Sequence, residues 1–97
     1  MKATLREQIY TVIAAIPPGR VTSYGRVAAL TEAATPRLVA RALRELPEGH
    51  DLPWFRVVTA SRKLADHSGA AEQRRRLAAE GVVLDDRGRV PAERLWP

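Results

Sequence analysis

Fourteen arginines, two histidines and a tryptophan-centred segment are what this sequence offers to chemistry, and cysteine is absent. Without a thiol the chain forms no disulfide, no thiolate nucleophile and no cysteine–metal bond. His50 and His67 stand apart from one another, so the sequence shows neither a metal site nor a cofactor. In Pro53-Trp54-Phe55-Arg56 the indole N–H of Trp54 only donates, and its ring carbons are poor nucleophiles. Sixteen Lys and Arg against eleven Asp and Glu give a net charge of +5 and an isoelectric point near 10.7. That balance favours a polyanionic partner, and arginine suits bidentate phosphate contacts and stacking on bases.

Ninety-seven residues, 45% hydrophobic and 28% charged, suit one folded domain over 1–97 with a single core. No apolar run approaches the roughly 20 residues that span a bilayer. Met1-Lys2-Ala3-Thr4-Leu5-Arg6-Glu7 leads into an amphipathic pattern and not a signal peptide, so the expectation is a cytoplasmic monomer.

The elements that must position these side chains follow from caps and periodicity. Thr4-Leu5-Arg6-Glu7 matches a capping box, and Leu5, Ile9, Val12, Ile13 and Ile16 recur at helical spacing up to Pro17-Pro18-Gly19. Ser23-Tyr24 opens a second helix through Val27, Ala28 and Leu30, and Thr35-Pro36 starts a third. On that third helix, at about 100° per residue, Leu38, Val39, Ala42, Leu43 and Leu46 share one side, and Arg37, Arg41 and Arg44 line the other. A solvated face is the plain reading of such a stripe; a helix-turn-helix unit presenting it to DNA is the functional one. Residues 52–58 read as a strand, Ser61-Arg62-Lys63 as a turn, and Ser68-Gly69 as the start of a fourth helix ended by Gly81. Residues 82–90 read as a small hairpin wing turning at Gly88. The expected fold is mainly α: a winged-helix-like domain with a helix-turn-helix.

Several motifs in order resemble the C-terminal domain of the O6-alkylguanine-DNA alkyltransferases. Ile16-Pro17-Pro18-Gly19-Arg20-Val21-Thr22-Ser23-Tyr24-Gly25 resembles that family's I-P-x-G-x-V-x-[ST]-Y-G stretch, and Glu80-Gly81 closes the fourth helix as there. Pro53-Trp54-Phe55-Arg56-Val57 resembles its Pro-Cys-His-Arg-Val motif, with Trp54 in place of the alkyl-accepting cysteine and Phe55 in place of the histidine. Leu46-Pro47-Glu48-Gly49 with Leu52-Pro53-Trp54 resembles the alkyltransferase-like branch in particular.

The resemblance implies a non-enzymatic sensor that binds double-stranded DNA containing O6-alkylguanine in the minor groove. It would flip the base and flag it for nucleotide excision repair, associated with the nucleoid when bound. It implies DNA contacts from Tyr24, Ser23, Arg37, Arg41 and Arg44, with Arg37, or Arg41 if the alignment gap shifts, filling the vacated stack. It implies a lesion pocket walled by Pro53 and Trp54, with Tyr24 near its mouth and the 46–51 loop, including Leu46, on another side. A core tryptophan is the plain alternative for Trp54. Arg62 and His67 are rival counterparts for a base contact from the 59–69 lid, and Glu80 is expected to pair with Arg56. The Arg74-Arg75-Arg76 run fits either phosphate contact or an exposed face. The alternative function is a winged-helix regulator without lesion specificity.

Overall fold

Thr4 opens helix α1 (Leu5–Ala15) in both directions at once: its hydroxyl accepts the Glu7 N–H at 3.1 Å, and the Glu7 carboxylate accepts the Thr4 N–H at 2.9 Å. This reciprocal bond satisfies two donors that a helix start leaves orphaned. Ile9, Ile13 and Ile16 are buried, as their spacing predicts. The chain leaves α1 through a type II turn, with Arg20 N–H on the Pro17 carbonyl at 3.1 Å and Gly19 at φ +80°. The structure, a computed structural model, describes residues 3–64 and 69–97.

Strand β1 (Thr22–Ser23) follows and pairs in parallel with β2 (Val57–Val58), Thr22 opposite Val57 and Ser23 opposite Val58. Ser23 then caps α2 (Tyr24–Ala29) by accepting the Arg26 N–H at 3.0 Å. Helix α3 (Pro36–Arg44) starts on Pro36; Thr35 holds the cap position, but its hydroxyl makes no cap bond. Helices α2 and α3 share the most extensive packing between any two elements, which builds the expected helix-turn-helix unit. Val39 and Ala42 are buried on the inner side of α3, and Leu38, Leu43 and Leu46 are half-buried.

Residues 52–58 depart from the expected strand. The Trp54 N–H bonds to the Leu52 carbonyl at 2.9 Å across Pro53 (φ −80°, ψ 64°), an inverse γ-turn. A 3-10 turn, Trp54–Arg56, follows, and only Val57–Val58 is extended. The proline folds the chain back before any ladder begins.

Helix α4 (Ala70–Ala79) closes in a Schellman motif, with Gly81 at φ +81° and the Val82 N–H on the Leu77 carbonyl at 2.9 Å. Its expected start at Ser68 lies outside the described residues. The hairpin expected over 82–90 is present as its turn: Asp85 N–H meets the Arg89 carbonyl at 2.8 Å, with Gly88 at φ +76°. No strand ladder extends from it, because Arg89 bridges instead to Lys63, whose own turn closes from Thr59 N–H to the Lys63 carbonyl at 2.9 Å. After a 3-10 turn, Ala92–Arg94, the chain returns to Val21, whose N–H and carbonyl bond to Arg94 and Trp96 at 2.9 and 2.8 Å.

The strand pair separates two buried clusters, since successive residues of a strand face opposite ways. Val57 joins Ile9, Ile13, Ile16, Val27, Ala28, Val39 and Ala42 under the helix-turn-helix. Val58 joins Val21, Phe55, Leu77, Val82 and Val90 under α4. The result is a mainly helical fold around a short parallel strand pair. No helix among the described residues is long and apolar enough to cross a membrane.

Candidate nucleic-acid interface

The outer side of α3 carries Arg37, Arg41 and Arg44, all exposed. Arg41 lies 3.6 Å from Glu45 one turn on, and Glu45 also pairs with Arg6 of α1. The hydrogen bond from Arg6 holds the exposed Glu45 carboxyl below its usual range. Among the described residues, neither Arg37 nor Arg44 forms an ion pair or a side-chain hydrogen bond. Helix α3 therefore presents two cations that are free to meet an anion and a third that shares a carboxylate.

Tyr24, in the first turn of α2, packs half-buried against the first cluster. Burial pushes its hydroxyl up from the usual value, while the nearby Arg44 guanidinium pulls it the other way. The phenol is thus a neutral donor and acceptor beside a cationic helix. Ser23 uses its oxygen to cap α2 and keeps its proton free to donate.

Trp54 sits across the strand pair, half-buried against the second cluster, its ring edge-on to Phe55 at 6.0 Å and 88°. The Phe55 ring lies between two guanidinium groups, with Arg56 Cζ 5.2 Å and Arg76 Cζ 5.5 Å from its centroid. The expected Arg56–Glu80 pair is formed, with Arg56 Nε on Glu80 Oε1 at 3.0 Å and a second contact from Nη2 to Oε2. Arg56 Nη1 also donates to the Ile16 carbonyl at 2.8 Å, and Glu80 accepts the Gly19 N–H at 3.0 Å. Burial alone would raise the Glu80 carboxyl, but its bonds from Arg56 and Gly19 outweigh that and hold it below the usual range. These bonds tie the end of α1, the tryptophan-bearing turn and the end of α4 to one carboxylate.

Two contributors escaped the sequence reading. Gln73, 1% exposed, donates through Nε2 to the Phe55 and Val57 carbonyls at 3.2 and 2.8 Å, gripping the turn from behind. Arg76 covers Phe55 while pairing with Glu72 at 2.7 Å. The signal for Gln73 was its place one helical turn before buried Leu77; for Arg76 there was none. Arg74 and Arg75 are exposed, and Arg75 pairs with Glu72.

The site residues thus fall into two groups. Tyr24 and Arg44 are electrostatic neighbours on the helix-turn-helix, with Arg37 and Arg41 on the same exposed face, while Pro53 and Trp54 belong to the turn across the strands. Leu46 is half-buried just beyond the end of α3. Hollows of about 240 and 220 Å3 are lined in part by Arg41 and by Ser23 respectively, and neither is lined by Tyr24, Leu46, Pro53 or Trp54. His67 lies outside the described residues, while Arg62 is half-buried in the 59–63 turn.

Fold and site together define a small helix-turn-helix domain with an arginine face on α3 and a half-buried tryptophan in the turn before β2. Residues 4–82 match the 6-O-methylguanine DNA methyltransferase, DNA binding domain family, and the chain belongs to it. A "DNA base-flipping protein" of Vibrio parahaemolyticus is 39% identical over 86% of this chain and 85% of its own length. "Alkyltransferase-like protein 1" of Schizosaccharomyces pombe is 32% identical over 79% of this chain and 75% of its own. The crystal structure of S. pombe Atl1 bound to damaged DNA containing O6-carboxymethylguanine superposes with a TM-score of 0.83 at 25% identity, covering 100% of this chain and 99% of that one.

Proposed function

We propose that this protein binds double-stranded DNA carrying O6-alkylguanine from the minor groove, turns the modified nucleotide out of the stack toward Trp54, and transfers nothing. The observation that carries this reading is the pairing, in one chain of the alkyltransferase family, of the arginine face on α3 with a Pro53-Trp54-Phe55-Arg56 turn and no cysteine anywhere in the sequence. The relatives' names, a base-flipping protein and an alkyltransferase-like protein, support it, as does the likeness to Atl1 bound to damaged DNA.

Flipping is required because the O6 atom faces the major groove inside the stack. Unstacking costs a few kcal/mol, least for a pair already weakened by alkylation, so part of the selectivity comes from the lesion. In this reading Arg37 refills the stack, Tyr24 and Ser23 engage the adjacent phosphate, and Arg41 and Arg44 hold the backbone. Pro53, Trp54 and Leu46 border the extruded base, and a flat indole meets the alkyl group through burial, worth roughly 0.8 kcal/mol per CH2. With no thiol to accept it, the alkyl group stays on the DNA, and the capped, bent site is what nucleotide excision repair would detect.

The test is a titration at fixed salt of otherwise identical duplexes carrying guanine or O6-methylguanine, with the recovered DNA assayed for its methyl group. Tighter binding to a methyl group that survives is expected. Equal binding leaves a basic DNA-binding module of the regulator type and ends the lesion reading, and a vanished methyl group reveals chemistry.

A further inference from the structure

A hollow of about 220 Å3 opens beside the start of α2, lined by Thr22, Ser23, Arg26, Leu95, Trp96 and Pro97. Thr22 is 1% exposed, and its Oγ1 is one of two buried side-chain polar atoms, among the described residues, without a hydrogen-bond partner. An unpaired buried hydroxyl is costly unless something supplies its partner. On the rim, Arg26 is exposed and among the described residues its guanidinium has no ion pair or hydrogen bond. Ser23 Oγ already accepts the Arg26 N–H, which leaves its proton available. The hollow is therefore lined by two hydroxyl-bearing residues, an arginine and the apolar residues Leu95, Trp96 and Pro97.

Its location connects it to the arginine face. A Cβ placed on Gly25 would lie 3.9 Å from Ser23 Oγ and 3.8 Å from Pro36 Cγ, so Ser23, which lines the hollow, and Pro36, which precedes Arg37 in the first turn of α3, both lie beside Gly25. We propose that this hollow receives a sugar–phosphate unit of the bound DNA strand, with Arg26, Ser23 and Thr22 on the phosphate and Trp96 against the sugar. It rests on the reading of the chain as a DNA binder. It extends that interface past the helix-turn-helix to the returning 95–97 segment. A guanidinium with two hydroxyls suits a phosphate, and the apolar wall favours one attached to a sugar over a free anion.

Arg26→Gln and Thr22→Val test it on an unmodified duplex. The glutamine variant is expected to bind more weakly and to flatten the dependence of log K on log salt by about 0.9, the contribution of one phosphate contact. The valine variant is expected to lose about tenfold in affinity, the scale of a hydrogen bond to a charged group, with a melting temperature at or above the parent's. An unchanged salt slope in the first, or unchanged affinity in the second, overturns the proposal. Inorganic phosphate is the control: if it raises the melting temperature of the parent but not of the variants, while DNA binding is equal in all three, the hollow is a free-anion site and the DNA assignment fails. Lesion discrimination is read separately by comparing modified and unmodified duplexes, so either reading can fail while the other stands.

Discussion

Arg62 is the only non-glycine described residue with a positive φ, +66°, at the last loop position of the turn that closes from Thr59 to Lys63. That backbone region costs an L-residue about 1 kcal/mol, so Arg62→Gly is expected to raise stability by about that amount in urea unfolding. A guanidinium kept at a strained position suggests a use for it, and the same variant is expected to bind lesion DNA more weakly. Higher stability with unchanged binding would make Arg62 a mere turn residue. At the neighbouring scale of single contacts, Arg37→Ala should weaken binding to both duplexes. Because unstacking costs a few kcal/mol, the loss on the lesion duplex should be the larger, about tenfold or more. Binding that survives intact would move the intercalating role to Arg41. Trp54→Ala should narrow the differences among O6-methyl, O6-ethyl and larger adducts more than it lowers general affinity. A uniform loss on every duplex would instead describe a tryptophan that only holds the second cluster together.

Among the elements, the Arg56–Glu80 pair makes the clearest demand, because it joins the ends of α1 and α4 to the tryptophan-bearing turn. Glu80→Gln leaves the Arg56 charge without its counter-ion and should cost about 2 kcal/mol, the scale of a hydrogen bond to a charged group. The Glu80 carboxyl is held below its unperturbed value of 4.5, so its stabilisation is full above that pH and is lost as pH falls through the lower folded value. Denaturant titrations stepped from neutral pH into acid should show a loss in the parent that is shallower in the glutamine variant, and parallel curves would refute the linkage. Helix α1 with its capping box, α3 starting on Pro36 and the Gly81 stop were legible because each is written in adjacent residues, whereas the Arg56–Glu80 pair, 24 residues apart, came only from the family resemblance. The 3-10 turn at Trp54–Arg56 was not legible, since four strand-favouring side chains, Trp54, Phe55, Val57 and Val58, masked the fold-back that Pro53 imposes. The two-residue strands and the return of 94–96 to Val21 were also hidden. Pairing between segments far apart in sequence leaves no local periodicity to read. The candidate site divided likewise: the arginine face followed from helical spacing, whereas the grip of Gln73 on the Phe55 and Val57 carbonyls needed the fold.

For the whole molecule the open question is whether the two clusters form one cooperative unit. They share the strand pair, with Val57 in one and Val58 in the other, and the Arg56–Glu80 bonds cross between α1 and α4. A chain of 97 residues has little surface to bury twice, and domains of this size usually unfold in one step. The two tryptophans happen to report on the two halves, Trp96 packed against the helix-turn-helix cluster and Trp54 against the α4 cluster. Trp54→Phe and Trp96→Phe each leave a single indole, so fluorescence follows one cluster at a time. The melting profile of each variant is expected to coincide with its own far-ultraviolet circular dichroism, which follows all the helices together. Emptying the second cluster with Leu77→Ala should cost about 3 kcal/mol and shift the Trp54 and Trp96 signals by the same amount. If only the Trp54 signal moved, the helix-turn-helix would fold without the tryptophan-bearing turn. The arginine face and the tryptophan-bearing turn would then be two units joined by a strand pair, each folding without the other.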